Sequence, residues 1–157
     1  MDAEITTTEI LLRVSFALLL GFILGLEREA KRKPAGLRTN MLVALGSAAF
    51  TMLALEIFYS ILHIRDRTAL DPLRLLNGIM EGLGFLGAGC IIQSRGSVEG
   101  ITTAATIWVV GAVGLACGAG QFRIAILTTV LAFIVLTALR FIEARIGNKT
   151  AAPETNG

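Results

Sequence analysis

The constraint that governs this chain is a series of five apolar blocks: Ile10–Leu26, Asn40–Leu62, Leu73–Gln93, Ile101–Ala119 and Phe122–Ile142. Each is near the length that crosses a bilayer as a helix. At about 1.5 Å per residue the shortest reaches about 25 Å, and modest thinning of the bilayer closes the gap. In lipid the backbone must satisfy its own hydrogen bonds, and nothing in these blocks alternates with period two, so helices are the only solution. At 54% hydrophobic, the 157-residue chain is too apolar for a soluble domain of its size. The pattern predicts an all-α, polytopic membrane bundle of five transmembrane helices. They form one domain over residues 1–146, followed by a polar, disordered cytoplasmic tail over 147–157. The acidic start MDAEITTTEI lacks the basic opening and cleavage site of a signal peptide, so the first helix is expected to stay.

Orientation follows from lysine and arginine in the loops. With the N-terminus outside, the cytoplasm receives nine: Arg28, Lys31, Arg32, Lys33, Arg38, Arg95, Arg140, Arg145 and Lys149. The outside receives four: Arg65, Arg67, Arg74 and Arg123. The sequence therefore predicts N-out, C-in.

Local signals fix the element ends. Glu27 with Lys31 and Glu29 with Lys33 are spaced i, i+4 in the favourable order, extending the first helix beyond its apolar block. Pro34 ends it and Gly36 supplies a turn. Asp71-Pro72 reads as an N-cap followed by proline at the first helical position. Ser94-Arg95-Gly96-Ser97 is a tight loop between the third and fourth helices. Eleven of the seventeen glycines lie between Leu75 and Gly120, and none lies in the fifth helix. Helices three and four are thus expected at the packed centre, with contacts at Gly78, Gly82, Gly84, Gly87, Ala88 and Gly114, and helix five against lipid.

Glu81 is the one acid within the third block. A charge at such depth needs a partner, a proton or water. On a helical wheel it shares a stripe with Arg74, Asn77, Gly78, Gly84, Phe85 and Ala88, opposite Leu76, Ile79, Leu83 and Leu86. The stripe is expected to face the protein interior. Glu81 and Asn77, with Thr103 and Thr106 of the fourth helix, are a candidate cation or proton site. The alternative is a structural carboxylate, with the threonines bonded to carbonyls one turn back. Arg13 and Glu56 are candidate charge partners at the same depth, with snorkelling to headgroups as the alternative for Arg13. Arg28, Lys31, Arg32 and Lys33 are candidate contacts for anionic lipid headgroups as well as topology determinants.

Other patterns carry no chemistry. Gly82-Leu83-Gly84-Phe85-Leu86-Gly87 matches G-x-G-x-x-G but lies inside a hydrophobic span, without the strand a dinucleotide site requires. Cys90 and Cys117 read as small core residues, and Trp108 as a packing residue. His63 is the lone histidine, so no multi-histidine metal site can form, and the sequence leaves the metal unknown. No catalytic set assembles, no cofactor is called for, and nothing points to nucleic acid.

Several stretches in order resemble the MgtC/SapB family of bacterial inner-membrane proteins. They are Gly25-Leu26-Glu27-Arg28-Glu29, Pro34-Ala35-Gly36-Leu37-Arg38-Thr39, Asp71-Pro72, Gly84-Phe85-Leu86-Gly87-Ala88-Gly89 and Thr102-Thr103-Ala104-Ala105-Thr106-Ile107-Trp108. The match runs over about Ile10 to Ile142. The resemblance implies a multi-helix membrane domain associated with magnesium homeostasis. For the MgtC branch it also implies survival inside host cells and interaction with the membrane sector of ATP synthase. The sequence stops where MgtC proteins carry a soluble C-terminal domain, so it is similar to the shorter SapB type.

Two functions are expected from this. One is cation homeostasis through a wet site around Glu81, catalysing no reaction. The other is a regulatory membrane protein that docks on a complex such as ATP synthase, marked by an exposed small-residue groove on helix three or four. A bundle this thin also points to a homodimer. For topology, a reporter fused after Asn148 should be cytoplasmic and a cysteine at Arg67 should label from outside. A periplasmic C-terminus would contradict the orientation.

Overall fold

The computed structural model describes residues 5–62, 72–94 and 97–150. They form five helices: α1 (Thr7–Ala30), α2 (Leu37–Leu62), α3 (Pro72–Gly89), α4 (Ile101–Gly118) and α5 (Phe122–Thr150). Between α3 and α4, β1 (Ile92–Ser94) pairs antiparallel with β2 (Ser97–Glu99), matching Ile92 to Glu99 and Ser94 to Ser97. Ser94 and Ser97, the two ends of the expected tight loop, are therefore paired in a short β-ladder, and Arg95 and Gly96 between them lie outside the described residues. By length and composition, three of the described helical segments can cross a membrane: Thr7–Ala30, Leu37–Ile61 and Ile101–Gly118. The apolar part of α5, Phe122–Ala138, is shorter. The 18 residues of α3 include Arg74, Asn77 and Glu81, which make it less apolar.

The ends follow the local chemistry. Thr6 caps α1 with a capping box, its hydroxyl accepting from the Glu9 amide at 3.3 Å while Glu9 accepts from the Thr6 amide at 3.0 Å. α1 stops at Ala30, just before Pro34, and α3 begins at Pro72. The proposed cap Asp71 and the histidine His63 lie outside the described residues, as do 151–157 of the tail. α5 runs to Thr150, so residues 147–150 are helical rather than disordered. Gly100 and Gly120, with φ of +90° and +75°, flank α4 in a backbone region that glycine adopts at low cost.

Glycine contacts fix how the helices run. A Cβ on Gly21 would lie 2.9 Å from Ala44 Cβ, and one on Gly25 2.9 Å from Leu37 Cα, so α1 and α2 are antiparallel. A Cβ on Gly114 would lie 2.8 Å from Ser47 Cβ, and one on Gly118 2.7 Å from Thr51 Cβ, so α2 and α4 are parallel. Gly87 meets Ala104 at 3.5 Å and Leu83 fills the notch at Gly111, which sets α3 antiparallel to α4. Phe16 stacks on Phe122 with centroids 5.0 Å apart, while Lys31 reaches the Leu136 carbonyl, so α1 and α5 are parallel. α4 touches all four other helices, and the core gathers around it from Ala17, Leu20, Leu24, Ala44, Ala48, Val110, Val113, Cys117 and Ala125.

The expectation for α4 holds and that for α3 does not. α3 lies at the edge, packed mainly on α4. A Cβ on Gly78, Gly82 or Gly84 would meet nothing within 4 Å, and Ala88 is exposed, whereas Gly87 and Gly114 are at contacts. The reason is shape. α4 offers a notch at Gly111 that accepts the branched side chain of Leu83, so α3 turns Leu83 rather than its polar stripe toward α4. α5 buries Ala125 and Thr129 and exposes Ile124, Leu127, Val130, Leu131 and Ile134, as a lipid-facing helix should. Trp108 is 51% exposed on α4, not packed inside.

Gly114→Leu should lower the thermal stability of the purified protein by at least ~1–3 kcal/mol, since the added side chain meets the α2 backbone. Gly84→Leu should leave it nearly unchanged. Equal losses in a melting assay would contradict this packing.

Candidate functional site

Two separate groups of polar side chains stand out among the described residues. The first joins the C-terminal end of α1 to the starts of α2 and α4. Arg28 is only 3% exposed, and its Nη2 donates to Thr103 Oγ1 at 2.5 Å and to the Pro34 carbonyl at 3.3 Å. Asn40 is fully buried, and its Nδ2 donates to the carbonyls of Ala35 and Gly36 at 2.6 and 2.7 Å. Glu29 accepts from the Leu37 amide at 3.0 Å, capping α2. Lys31 forms an ion pair with the buried Glu27, the expected i, i+4 partner. Arg28, Glu29 and Asn40 thus hold a short connection in which Arg32 and Ala35 have φ of 50° and 54°. Non-glycine residues adopt that conformation only when surrounding bonds impose it. The buried atoms Glu27 Oε2, Arg28 Nε and Asn40 Oδ1 have no protein hydrogen-bond partner among the described residues.

This interlock corrects one expectation and explains another. Arg28 is drawn inward to Thr103, while the half-buried Lys31 pairs with Glu27. Arg32 and Lys33 are exposed. The residues that carried the family resemblance, Gly25–Glu29, Pro34–Thr39 and Thr102–Trp108, are those that meet here. Sequence reasoning missed Arg28–Thr103 and Asn40. The available signal was a polar residue beginning an apolar block, directly after a proline–glycine turn.

The second group lies on α3. Glu81 and Asn77 are both exposed, on the face turned away from α4, together with Gly84, Ala88 and Phe85, which is 80% exposed. The stripe therefore does not face the interior of this chain. Thr103 and Thr106 are buried on α4, and the Thr106 hydroxyl donates to the Thr102 carbonyl at 2.7 Å, one turn back. The structure brings Glu81 and Asn77 together but separates them from the threonines. Arg13 donates to the Gly118 carbonyl at 2.8 Å, closing the C-terminal end of α4, where a cation also favours the helix dipole. No ion pair joins Arg13, Glu56 and Glu81 among the described residues. No group of three or more His, Cys, Asp or Glu side chains is clustered among the described residues. Cys90 and Cys117 are free thiols.

Long apolar helices around a polar interlock define a polytopic helix-bundle membrane protein. The chain belongs to the MgtC family, whose profile matches residues 14–145. It is 36% identical over 143 residues to "Putative magnesium transporter YhiD" of Escherichia coli K12, covering 91% of this chain and 66% of that protein. It is 38% identical over 142 residues to "Protein SapB" of Bacillus subtilis 168, covering 88% of this chain and 60% of SapB. It is 35% identical over 154 residues to "Protein MgtC" of Salmonella choleraesuis, covering 98% of this chain and 62% of MgtC. The chain thus spans about two thirds of the length of these relatives. No solved structure gives a significant match.

Arg28→Leu should destabilise the fold by ~1–3 kcal/mol, because Thr103 and the Pro34 carbonyl lose a buried donor. Arg32→Leu, at an exposed position, should change the melting temperature little. A silent Arg28→Leu would contradict the interlock.

Proposed function

We propose that this chain is a multi-pass protein of the bacterial inner membrane, N-out and C-in, that serves magnesium or general cation homeostasis by docking on a membrane partner through the outward face of α3. The observation that carries this reading is the placement of Glu81. It stands exposed beside Asn77 on a face that no other described helix of the chain covers. An acid in a bilayer needs a partner, a proton or water, and Gly84 and Ala88 beside it let another helix approach closely. The names of the E. coli and Salmonella relatives support the link to magnesium. On this reading Glu81 and Asn77 are half of a cation or proton site, and the partner supplies the rest. The partner is a membrane helix, either from a second copy or from another complex such as ATP synthase. Thr103 and Thr106 serve packing instead.

The test is growth at low magnesium of a strain lacking the gene, complemented at equal membrane abundance. Gly84→Leu, which has open space around it, should fold normally yet rescue poorly because it blocks the docking face. Glu81→Gln should also fail if the charge is used. Full rescue by both variants would overturn the assignment of this face.

A further inference from the structure

The groove between α2 and α3 owes its existence to three missing side chains. Gly46, Gly78 and Gly82 all line it, and a Cβ on any of them would meet nothing within 4 Å. Its remaining wall is leucine, isoleucine, valine and phenylalanine, with the hydroxyls of Thr39 and Ser47 as the polar exceptions. It lies on the flank of α3 next to the Glu81 face and is independent of the docking proposal.

Size decides what can occupy it. The groove has a volume of about 670 Å³. Along α2 it extends from Thr39 to Phe50, about 16 Å at the helical rise. An acyl chain of ~16–18 carbons needs about 500 Å³, taking a methylene as roughly the ~30 Å³ of a liquid water. Charge decides the rest. Arg38 follows directly on the N-terminal side of Thr39 and is exposed, as are Arg32 and Lys33 of the α1–α2 connection. Arg28 and Lys31 are engaged by Thr103 and Glu27, so among the described residues Arg32, Lys33 and Arg38 are the exposed basic side chains of this connection and the start of α2.

We propose that this groove is a binding site for one acyl chain of an anionic diacyl phospholipid, with its headgroup phosphate held by Arg38. Arg32 and Lys33 add positive potential at the mouth. The second acyl chain stays in the bilayer. Arg38 is an exposed arginine at a phosphate-rich boundary, where its forked guanidinium suits the ligand.

The experiment is native mass spectrometry of the purified full chain in detergent, titrated with phosphatidylglycerol or phosphatidylcholine. Wild type should retain one phosphatidylglycerol in preference to phosphatidylcholine. Gly46→Leu and Gly82→Leu each place a side chain in open groove space, so each should keep its helical circular dichroism and lose retention of both lipids. Arg38→Gln should keep the acyl seat and lower the preference for phosphatidylglycerol about fivefold, the effect of ~1 kcal/mol per basic residue at a membrane surface. The two leucine variants are read separately, so misfolding of one leaves the other as the test. If either folded variant retains phosphatidylglycerol as wild type does, the bound lipid is a general solvating lipid and the proposal fails. It fails equally if groove filling converts a wild-type dimer to a monomer in the same spectra, because the occupant would then be a second copy.

Discussion

The structure depends on the approach of two helices to the backbone of α2. Gly21 and Gly25 of α1 meet it along Leu37, Asn40 and Ala44, Gly114 and Gly118 of α4 meet it along Ala44, Ser47, Ala48 and Thr51, and all of these but Leu37 are small or short side chains. In lipid no hydrophobic effect drives helices together, so such contacts rest on dispersion at close range and on polar groups satisfied between helices. A Cβ at any of the four glycines would fall within about 3 Å of α2 atoms. Once α2 is held, the ends can be tied. Arg28 and Asn40 grip the α1–α2 connection, Thr103 joins it to α4, and Arg13 closes the far end of α4. The polar bonds fix the register that the glycines permit.

That arrangement leaves α3 with one anchored side. Leu83 and Gly87 face α4, and the other positions look onto the groove or outward. A helix with an acid and open glycines, held along one edge only, is the part of the bundle most able to meet another molecule. The proposed lipid seat and the proposed docking face are two flanks of this helix. The interlock of Arg28, Asn40 and Thr103 is a structural device, and Arg28 and Thr103 lie in stretches that carry the family resemblance.

Much of the fold could be read from the chain because bilayer physics leaves few choices. The five helices, the breaks at Pro34 and Pro72, the Glu27–Lys31 pair and the lipid-facing character of α5 all follow from local pattern. What could not be read was which side of α3 turns inward. The wheel separates a polar stripe from a leucine stripe, and burial of the polar stripe is the usual outcome in membranes. Here the notch at Gly111 decides the matter in favour of Leu83, and a notch depends on the neighbour that happens to face it. The crowding of glycines between Leu75 and Gly120 misled for the same reason. Glycine count marks where backbones can approach, and only the three-dimensional arrangement distinguishes Gly114, at a contact, from Gly84, in the open. The pair Gly21 and Gly25, sparse in sequence, makes tighter contacts than any glycine of α3. Arg28 was read as a surface charge because four basic residues run together, and its partner Thr103 lies 75 residues away.

The most direct measurement of the central contact is disulfide trapping between α2 and α4 in native membranes. The pair is Ser47→Cys with Gly114→Cys, in a chain whose Cys90 and Cys117 are replaced by alanine. A Cβ added at Gly114 would lie 2.8 Å from Ser47 Cβ and closer still to the Ala44 carbonyl oxygen, so a parting of α2 and α4 by about 1 Å both admits the cysteine and brings the pair to the ~3.8 Å of a disulfide. The account predicts rapid intramolecular cross-linking under mild oxidation, with none for Gly84→Cys paired with Gly114→Cys. A folded protein in which the Ser47–Gly114 pair stays reduced would contradict the clamp on α2.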